Sequence, residues 1–233
     1  MIKAIFFDWF YTLARYEPPR EELYSRVFAE FGIQLAPQEI MPGILAADRY
    51  YFEENARSSV MKRDPKAQAE VFIGYNSLIL NEAGLELPQE QLLKIMKRVQ
   101  ELFKGATFVL FDDVLSALKT LKERKLILGL LTNATKDLVA VHHKLGLESY
   151  LDFVVTSEEA GADKPNPPIF RLALERAGVD ASEAVHVGDQ YSIDVVGARG
   201  VGINPILIDR YNISPEVTDC PRIHSLTEVA QRL

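Results

Sequence analysis

The sequence predicts an α/β fold: a parallel sheet covered by helices, interrupted near its start by an all-helical insertion. Three observations predict it. The chain opens on a nearly unbroken apolar run, Ile2-Lys3-Ala4-Ile5-Phe6-Phe7, of the kind a strand buried on both faces shows. From Pro18-Pro19 to about Phe103 the apolar residues recur at helical spacing. From Phe108 onward short apolar runs alternate with amphipathic stretches, the pattern of strand–helix units in a parallel sheet.

The insertion reads as four helices. Residues 20–31 place Leu23, Val27, Phe28 and Phe31 on one face, and Gly32 stops the run. A second helix is expected over 44–56, with Ile44, Ala47, Tyr51 and Phe52 as its apolar positions. A third starts near Pro65 and carries Val71, Phe72, Tyr75, Leu78 and Ile79 before Gly84. The fourth opens at Pro88, a residue suited to a first helical turn, and carries Leu92, Ile95, Met96, Val99 and Phe103. Four amphipathic helices on short loops make a small bundle. The expected domains are 1–15 with 106–233, forming the α/β core, and 16–105, forming a helical cap.

The remaining elements follow the alternation. Asp112 is expected to cap a helix through Leu115, Leu118 and Leu121. A buried strand over 126–131 ends at Thr132-Asn133, and a helix over 136–145 is stopped by Gly146. A short strand over 153–155 and a helix over 168–177 come next. A strand over 184–187 ends at Gly188-Asp189, and a helix over 192–199 follows. A strand over 203–208 and a helix over 226–233 complete the chain.

Bulk properties narrow the function. An apolar content of 48% in 233 residues supports a sizeable core. A net charge of -7 with no basic block argues against nucleic acid or an anionic membrane as partner. Cys220 is the single cysteine, which excludes a disulfide framework and fits a reducing, cytoplasmic setting. The opening apolar run is too short to span a membrane and is broken by Asp8; no signal peptide is expected.

Asp8 is the first residue to question. A carboxylate ending a buried strand is poorly solvated and needs compensation. Open parallel sheets bind their ligands beyond the carboxyl ends of the strands. Four polar clusters fall there: Asp8 with Thr12, Thr132-Asn133, Lys164, and Asp189 with Asp194. Acids from two strand ends suit a hard, oxygen-ligated cation such as Mg2+. Thr132 can donate to an anionic oxygen, and Lys164 adds a fixed positive charge on a loop stiffened by Pro165, Pro167 and Pro168.

These clusters carry a resemblance. Asp8-Trp9-Phe10-Tyr11-Thr12-Leu13 resembles the first motif of the haloacid dehalogenase superfamily, which reads Asp-x-Asp-Gly-Thr-Leu in its phosphatases. Leu131-Thr132-Asn133 is similar to the second motif and Gly161-Ala162-Asp163-Lys164-Pro165 to the third. Gly188-Asp189-Gln190-Tyr191-Ser192-Ile193-Asp194 resembles the fourth. The likeness covers essentially the whole chain, in the branch with a helical cap after the first strand. It implies a Rossmann-like core and a Mg2+-dependent phosphatase acting on a small phosphorylated metabolite. Asp8 is then the nucleophile. Thr132, Asn133 and Lys164 contact the phosphoryl group, and Thr132 and Lys164 also count as catalytic. Asp8, the Phe10 carbonyl, Asp189 and Asp194 serve the metal.

The departures matter as much. The residue two places after the nucleophile is normally the acid that protonates the leaving oxygen, and here it is Phe10. The next is normally glycine, and here it is Tyr11. General acid–base help is worth about 10²–10⁴ in rate, so good leaving groups are expected to be preferred. Two alternatives also lack the second aspartate. One is a metal-independent 2-haloacid dehalogenase, for which Arg49 is the candidate substrate-binding arginine. The other is a phosphonate-cleaving enzyme, for which Lys62 is the candidate Schiff-base lysine. A third alternative is a regulatory binding member of the family. Plainer readings stand beside these. Asp8 or Thr132-Asn133 can belong to turns, Asp189 can cap a helix, and Asp112-Asp113 suits capping better than a second metal. His142 and His143, adjacent on a helix, are expected to point apart.

Overall fold

A strand buried on both faces forms where the opening apolar run demands it. The computed structural model describes residues 1–134 and 137–233. β1 (Ala4–Phe7) is fully buried along its length. Then come β2 (Ala14–Glu17), α1 (Arg20–Glu30), α2 (Pro37–Arg57), α3 (Pro65–Glu82), α4 (Gln89–Phe103) and β3 (Thr107–Leu110). The alternating part contains α5 (Val114–Glu123), β4 (Ile127–Thr132), α6 (Asp137–Lys144), β5 (Phe153–Thr156), α7 (Ser157–Ala160) and α8 (Pro167–Ala177). It ends with β6 (Ala184–Gly188), α9 (Val196–Gly200), β7 (Asn204–Ile208) and β8 (Arg222–Ile223).

The sheet runs β5-β4-β1-β6-β7-β8, and its neighbours pair in parallel. This is the expected α/β fold, with the first strand between β4 and β6 and buried on both faces. Phe7 stands opposite Leu130 of β4 and Val187 of β6. The carboxyl ends of the three central strands therefore fall level. Strands joined by crossovers bury both faces, and here Phe6, Leu131, Val155, Ile169, Phe170 and Ala173 form one core.

The chain divides into two units, Met1–Arg15 with Val109–Leu233, and Tyr16–Phe108. The second unit holds α1 to α4 around Tyr24, Val27, Phe28, Ile40, Ile44, Ile79 and Ile95. Within it the buried Arg20 donates to Asp48 at 3.0 Å, and the Tyr75 hydroxyl donates to the same carboxylate at 2.8 Å. A cavity of about 470 Å³ opens among Tyr16, Arg20, Tyr24, Tyr75, Asn76 and Phe103.

Several boundaries differ from expectation, each for a physical reason. α2 begins at Pro37, well before Ile44. Pro42-Gly43 reads as a breaker, yet Gly43 serves packing: a Cβ there would meet the Ile79 carbonyl oxygen at 2.5 Å. Asp112 does not cap α5; the flanking residue is Asp113, whose side chain makes no capping bond. The expected helix over 192–199 is a π-helical turn (Tyr191–Val195) followed by α9. The last helix is a 3-10 turn (Leu226–Gln231), and its Ser225 accepts from the Thr227 amide. The two-stranded sheet of β2 with β3 is not legible in the apolar pattern, because four-residue strands carry too few positions to show a period. The expected start of α6 at Lys136 lies outside the described residues.

Candidate active site

The site is built on the level strand ends of the α/β unit. Asp8 follows β1, and its backbone amide donates to the Val187 carbonyl at 2.9 Å, which fastens it to β6. Lys164 reaches it from the loop after α7. Its Nζ donates to Asp8 Oδ1 at 2.5 Å and to Asp194 Oδ1 at 2.7 Å. The lysine side chain is 2% exposed and that of Asp8 13%. Asn133, just past β4, clasps the lysine's backbone. Its Oδ1 accepts from the Lys164 amide at 2.7 Å and its Nδ2 donates to the Lys164 carbonyl at 3.1 Å.

Asp194 is delivered by the π-helical turn. An inserted residue of this kind re-aims a side chain, and such turns recur at functional sites. The carboxylate folds back over β6, where it accepts from the Gln190 amide at 3.1 Å and lies 2.9 Å from His186 Nε2. Gly188 makes the fold-back feasible, because a Cβ there would sit 2.2 Å from Asp194 Cγ. Gly197 has a parallel role. A Cβ on it would meet the Phe170 ring at 2.6 Å and the Pro165 backbone at 3.0 Å.

Oxygens of Asp8, Asp189 and Asp194 lie within 4.8 Å of one another. Burial pushes the Asp8 carboxyl up, and Lys164 only partly offsets it. Burial also pushes Asp189 well above the ordinary carboxylate range, with Asp8 and Asp194 adding to the shift. Asp194 would rise by burial too, but Lys164 and His186 outweigh it and hold the group well below that range. Burial would lower Lys164, but Asp194 and Asp8 raise it above the usual lysine value. One buried ammonium therefore faces three carboxylates, a surplus of negative charge that a divalent cation would relieve. Mg2+ takes oxygen ligands at about 2.0–2.1 Å with few carboxylates, and this donor set fits it.

The structure brings Asp8, Lys164, Asp189 and Asp194 into one cluster. Thr132 ends β4 at the same edge, 3% exposed, with its Oγ1 accepting from the Ala134 amide at 3.1 Å. That leaves its hydroxyl proton to donate. Asn133, expected at the substrate, has its amide engaged with Lys164. Phe10 is half-buried, its ring 4.3 Å from that of Tyr11. Tyr11 takes φ 59°, the left-handed turn that a glycine would adopt freely. Asp189 does not cap the turn that follows; the Gln190 side chain donates to it at 3.0 Å. Asp113 is committed to Arg210, Ser225 and Leu226. Arg49 and Lys62 are exposed on the helical unit, whose buried arginine is Arg20. The rings of His142 and His143 lie 4.2 Å apart rather than pointing apart. His186 escaped sequence reasoning; the signal was a lone polar residue in the apolar run of β6, which reads equally as a tolerated core histidine.

Comparison with known proteins adds an independent line. The haloacid dehalogenase-like hydrolase family matches residues 2–202. Haloacid dehalogenase-like hydrolase domain-containing protein 3 of Danio rerio is 30% identical over 240 residues, covering 100% of this chain and 96% of the relative. A glyceraldehyde 3-phosphate phosphatase of Methanopyrus kandleri is 30% identical over 220 residues, covering 90% and 85%. Among solved structures, a HAD-hydrolase of Bacillus subtilis bound to magnesium superposes with a TM-score of 0.64 at 22% identity, covering 100% of this chain and 98% of that one. The last likeness bears on the fold alone.

Proposed function

The chain belongs to the haloacid dehalogenase-like hydrolases, and within that family we propose that it is a Mg2+-dependent phosphatase working through a phospho-Asp8 intermediate. The observation that carries this reading is the buried Lys164 held between Asp8 and Asp194, with Asp189 beside them and negative charge in surplus. A small phosphorylated metabolite is the substrate class, in keeping with the phosphatase names of its relatives. Cys220, the single cysteine, supports a reducing, cytoplasmic setting.

In this mechanism an Asp8 carboxylate oxygen attacks phosphorus. A phosphorus–oxygen bond forms to Asp8, and the bond to the leaving oxygen breaks with its electron pair departing on that oxygen. Lys164 holds Asp8 in place and offsets negative charge, and Thr132 donates to a phosphoryl oxygen. Concentrated positive charge is what phosphoryl transfer needs, because its transition state spreads charge over several oxygens. Mg2+, held by Asp8, the Phe10 carbonyl, Asp189 and Asp194, would supply the remaining charge neutralisation. Water then attacks phosphorus and releases Asp8 and inorganic phosphate. Phe10 has no proton to give to the leaving oxygen, so stable leaving groups such as aryl oxides are favoured.

Phosphate release from an aryl phosphate, with and without chelator, tests this. Chelation should abolish turnover, and Asp8→Asn should lower it by about 10⁴-fold or more. Activity surviving either treatment overturns the mechanism. Halide release from a 2-haloacid in chelator would favour dehalogenation instead. That reaction must bring an anion to a cluster already rich in carboxylates.

A further inference from the structure

The nucleophile loop 8–13 contains a residue poorly suited to its backbone, and a second loop is built against it. Tyr11 takes φ 59° although it is a bulky aromatic, a conformation that persists only where the surroundings over-determine it. The loop's backbone is tied at several points. The Tyr11 amide donates to the Ala14 carbonyl at 2.7 Å, and the Leu13 and Ala14 amides share the Trp9 carbonyl at 2.9 and 3.0 Å.

The turn after β7 adds a side-chain brace. Arg210 Nε and Nη2 donate to the Thr12 carbonyl at 3.2 and 2.8 Å. Its Nη1 and Nη2 donate to Asp113 at 3.0 Å each. Asp113 in turn accepts from the Ser225 hydroxyl at 2.7 Å and the Leu226 amide at 2.8 Å. The guanidinium lies 4.0 Å from the Phe111 ring centroid, and the side chain is 9% exposed. Next to it, the Tyr211 ring stands edge-on to Tyr11 at 5.6 Å. Asp209 locks this turn by accepting from the Ile213 and Ser214 amides at 2.8 and 3.0 Å and from Arg222 at 2.7 Å.

We propose that Arg210, anchored by Asp113, is a positioning residue that holds the nucleophile loop in its left-handed turn and so keeps Asp8 aimed for attack. The proposal rests on reading Asp8 as the nucleophile. A guanidinium suits the task because its planar fork reaches a carbonyl and a carboxylate at once. The brace matters because position 11 is not glycine; with glycine there, the turn would hold without help.

The test is a double-mutant cycle on the full chain with Arg210→Met and Tyr11→Gly, read by aryl phosphate kinetics and by amide hydrogen exchange over residues 8–14. Arg210→Met should lower kcat at least tenfold with KM within twofold, and speed exchange in that segment at least tenfold while leaving β4 unchanged. In the Tyr11→Gly background the same substitution should change kcat less than threefold and leave exchange unchanged. Equal penalties in both backgrounds, or unchanged exchange in Arg210→Met, overturn the proposal. Should Arg210→Met fail to fold, Arg210→Lys takes its place in the cycle with the same criteria, since one ammonium cannot reproduce the fork. If the wild type does not hydrolyse aryl phosphates, the phosphatase reading fails, and the exchange cycle still decides whether the brace exists.

Discussion

In the proposed mechanism, Phe10 limits the chemistry this site performs well. The side chain two places after Asp8 cannot donate a proton, so turnover by that mechanism should depend on the leaving group's own stability. Phe10→Asp should therefore raise kcat/KM for an alkyl phosphate by about 10²–10⁴ while changing aryl phosphate turnover far less. The two substrates measured side by side check this, and an equal change for both would mean that proton donation is not the missing element. Tyr11 is the neighbouring anomaly. A left-handed turn costs an ordinary L-residue about 1–2 kcal/mol, a cost the 4%-exposed ring offsets through burial. Lys164 is held at both its head and its backbone. Two carboxylates bind its Nζ and Asn133 binds its backbone, so neither its charge nor its position is free to drift.

The π-helical turn and β6 act together as one device. The turn projects Asp194 backward over the end of the strand, and Gly188 leaves the space for it. Gly188→Ala should displace that carboxylate, cost about 1–3 kcal/mol of stability and weaken Mg2+ binding. Thermal denaturation and a calorimetric metal titration read the two effects separately. A variant of native stability and affinity would mean that Asp194 has room to move elsewhere. The lysine loop is set by packing of the same kind, since Gly197 lets α9 lie against Pro165. In the helical unit, Gly43 likewise lets α2 approach α3, which is why a Pro-Gly pair sits inside a helix instead of ending it.

At the scale of the whole molecule, the acidic cluster should couple stability to pH and to a bound cation. The folded-state pKa of Asp189 is raised by burial and by the two neighbouring carboxylates. The native state therefore binds this proton more tightly than the unfolded chain does. Stability of the metal-free protein should fall as pH rises from the ordinary carboxylate range through that raised value. Mg2+ should reverse the loss, giving about 2.7 kcal/mol at a hundredfold excess over its Kd. The gain should be large at neutral pH and shrink in acid, where protons compete for the same oxygens. Melting curves with Mg2+ and with chelator across the pH range check this. A Mg2+ effect independent of pH would place the ion elsewhere. No helix among the described residues is long and apolar enough to cross a membrane.

Much of this protein is legible in one dimension because the signals are local or periodic. The apolar run 2–7, the helical spacing of the insertion and the later strand–helix alternation suffice for the α/β class and for a first strand buried on both faces. Asp8 and Asp189 were legible as candidates because each follows an apolar run, Lys164 because it lies in a loop between two elements, and Asp194 because it closes the motif that begins at Gly188. What the sequence could not carry is anything set by long-range contact. Asn133 joins Lys164 across 31 positions and Arg210 joins Thr12 across 198. No local pattern announces such pairs, since hydrogen bonds at this separation exist only once the sheet has ordered. The register of β1 against β4 and β6, the fold-back of Asp194 and the turn at Tyr11 are likewise decided by packing between elements. Sequence alone thus determined the α/β architecture and named candidate residues for the site. Tertiary structure alone decided which carboxylates share the lysine, because close approach in three dimensions leaves no period in the chain.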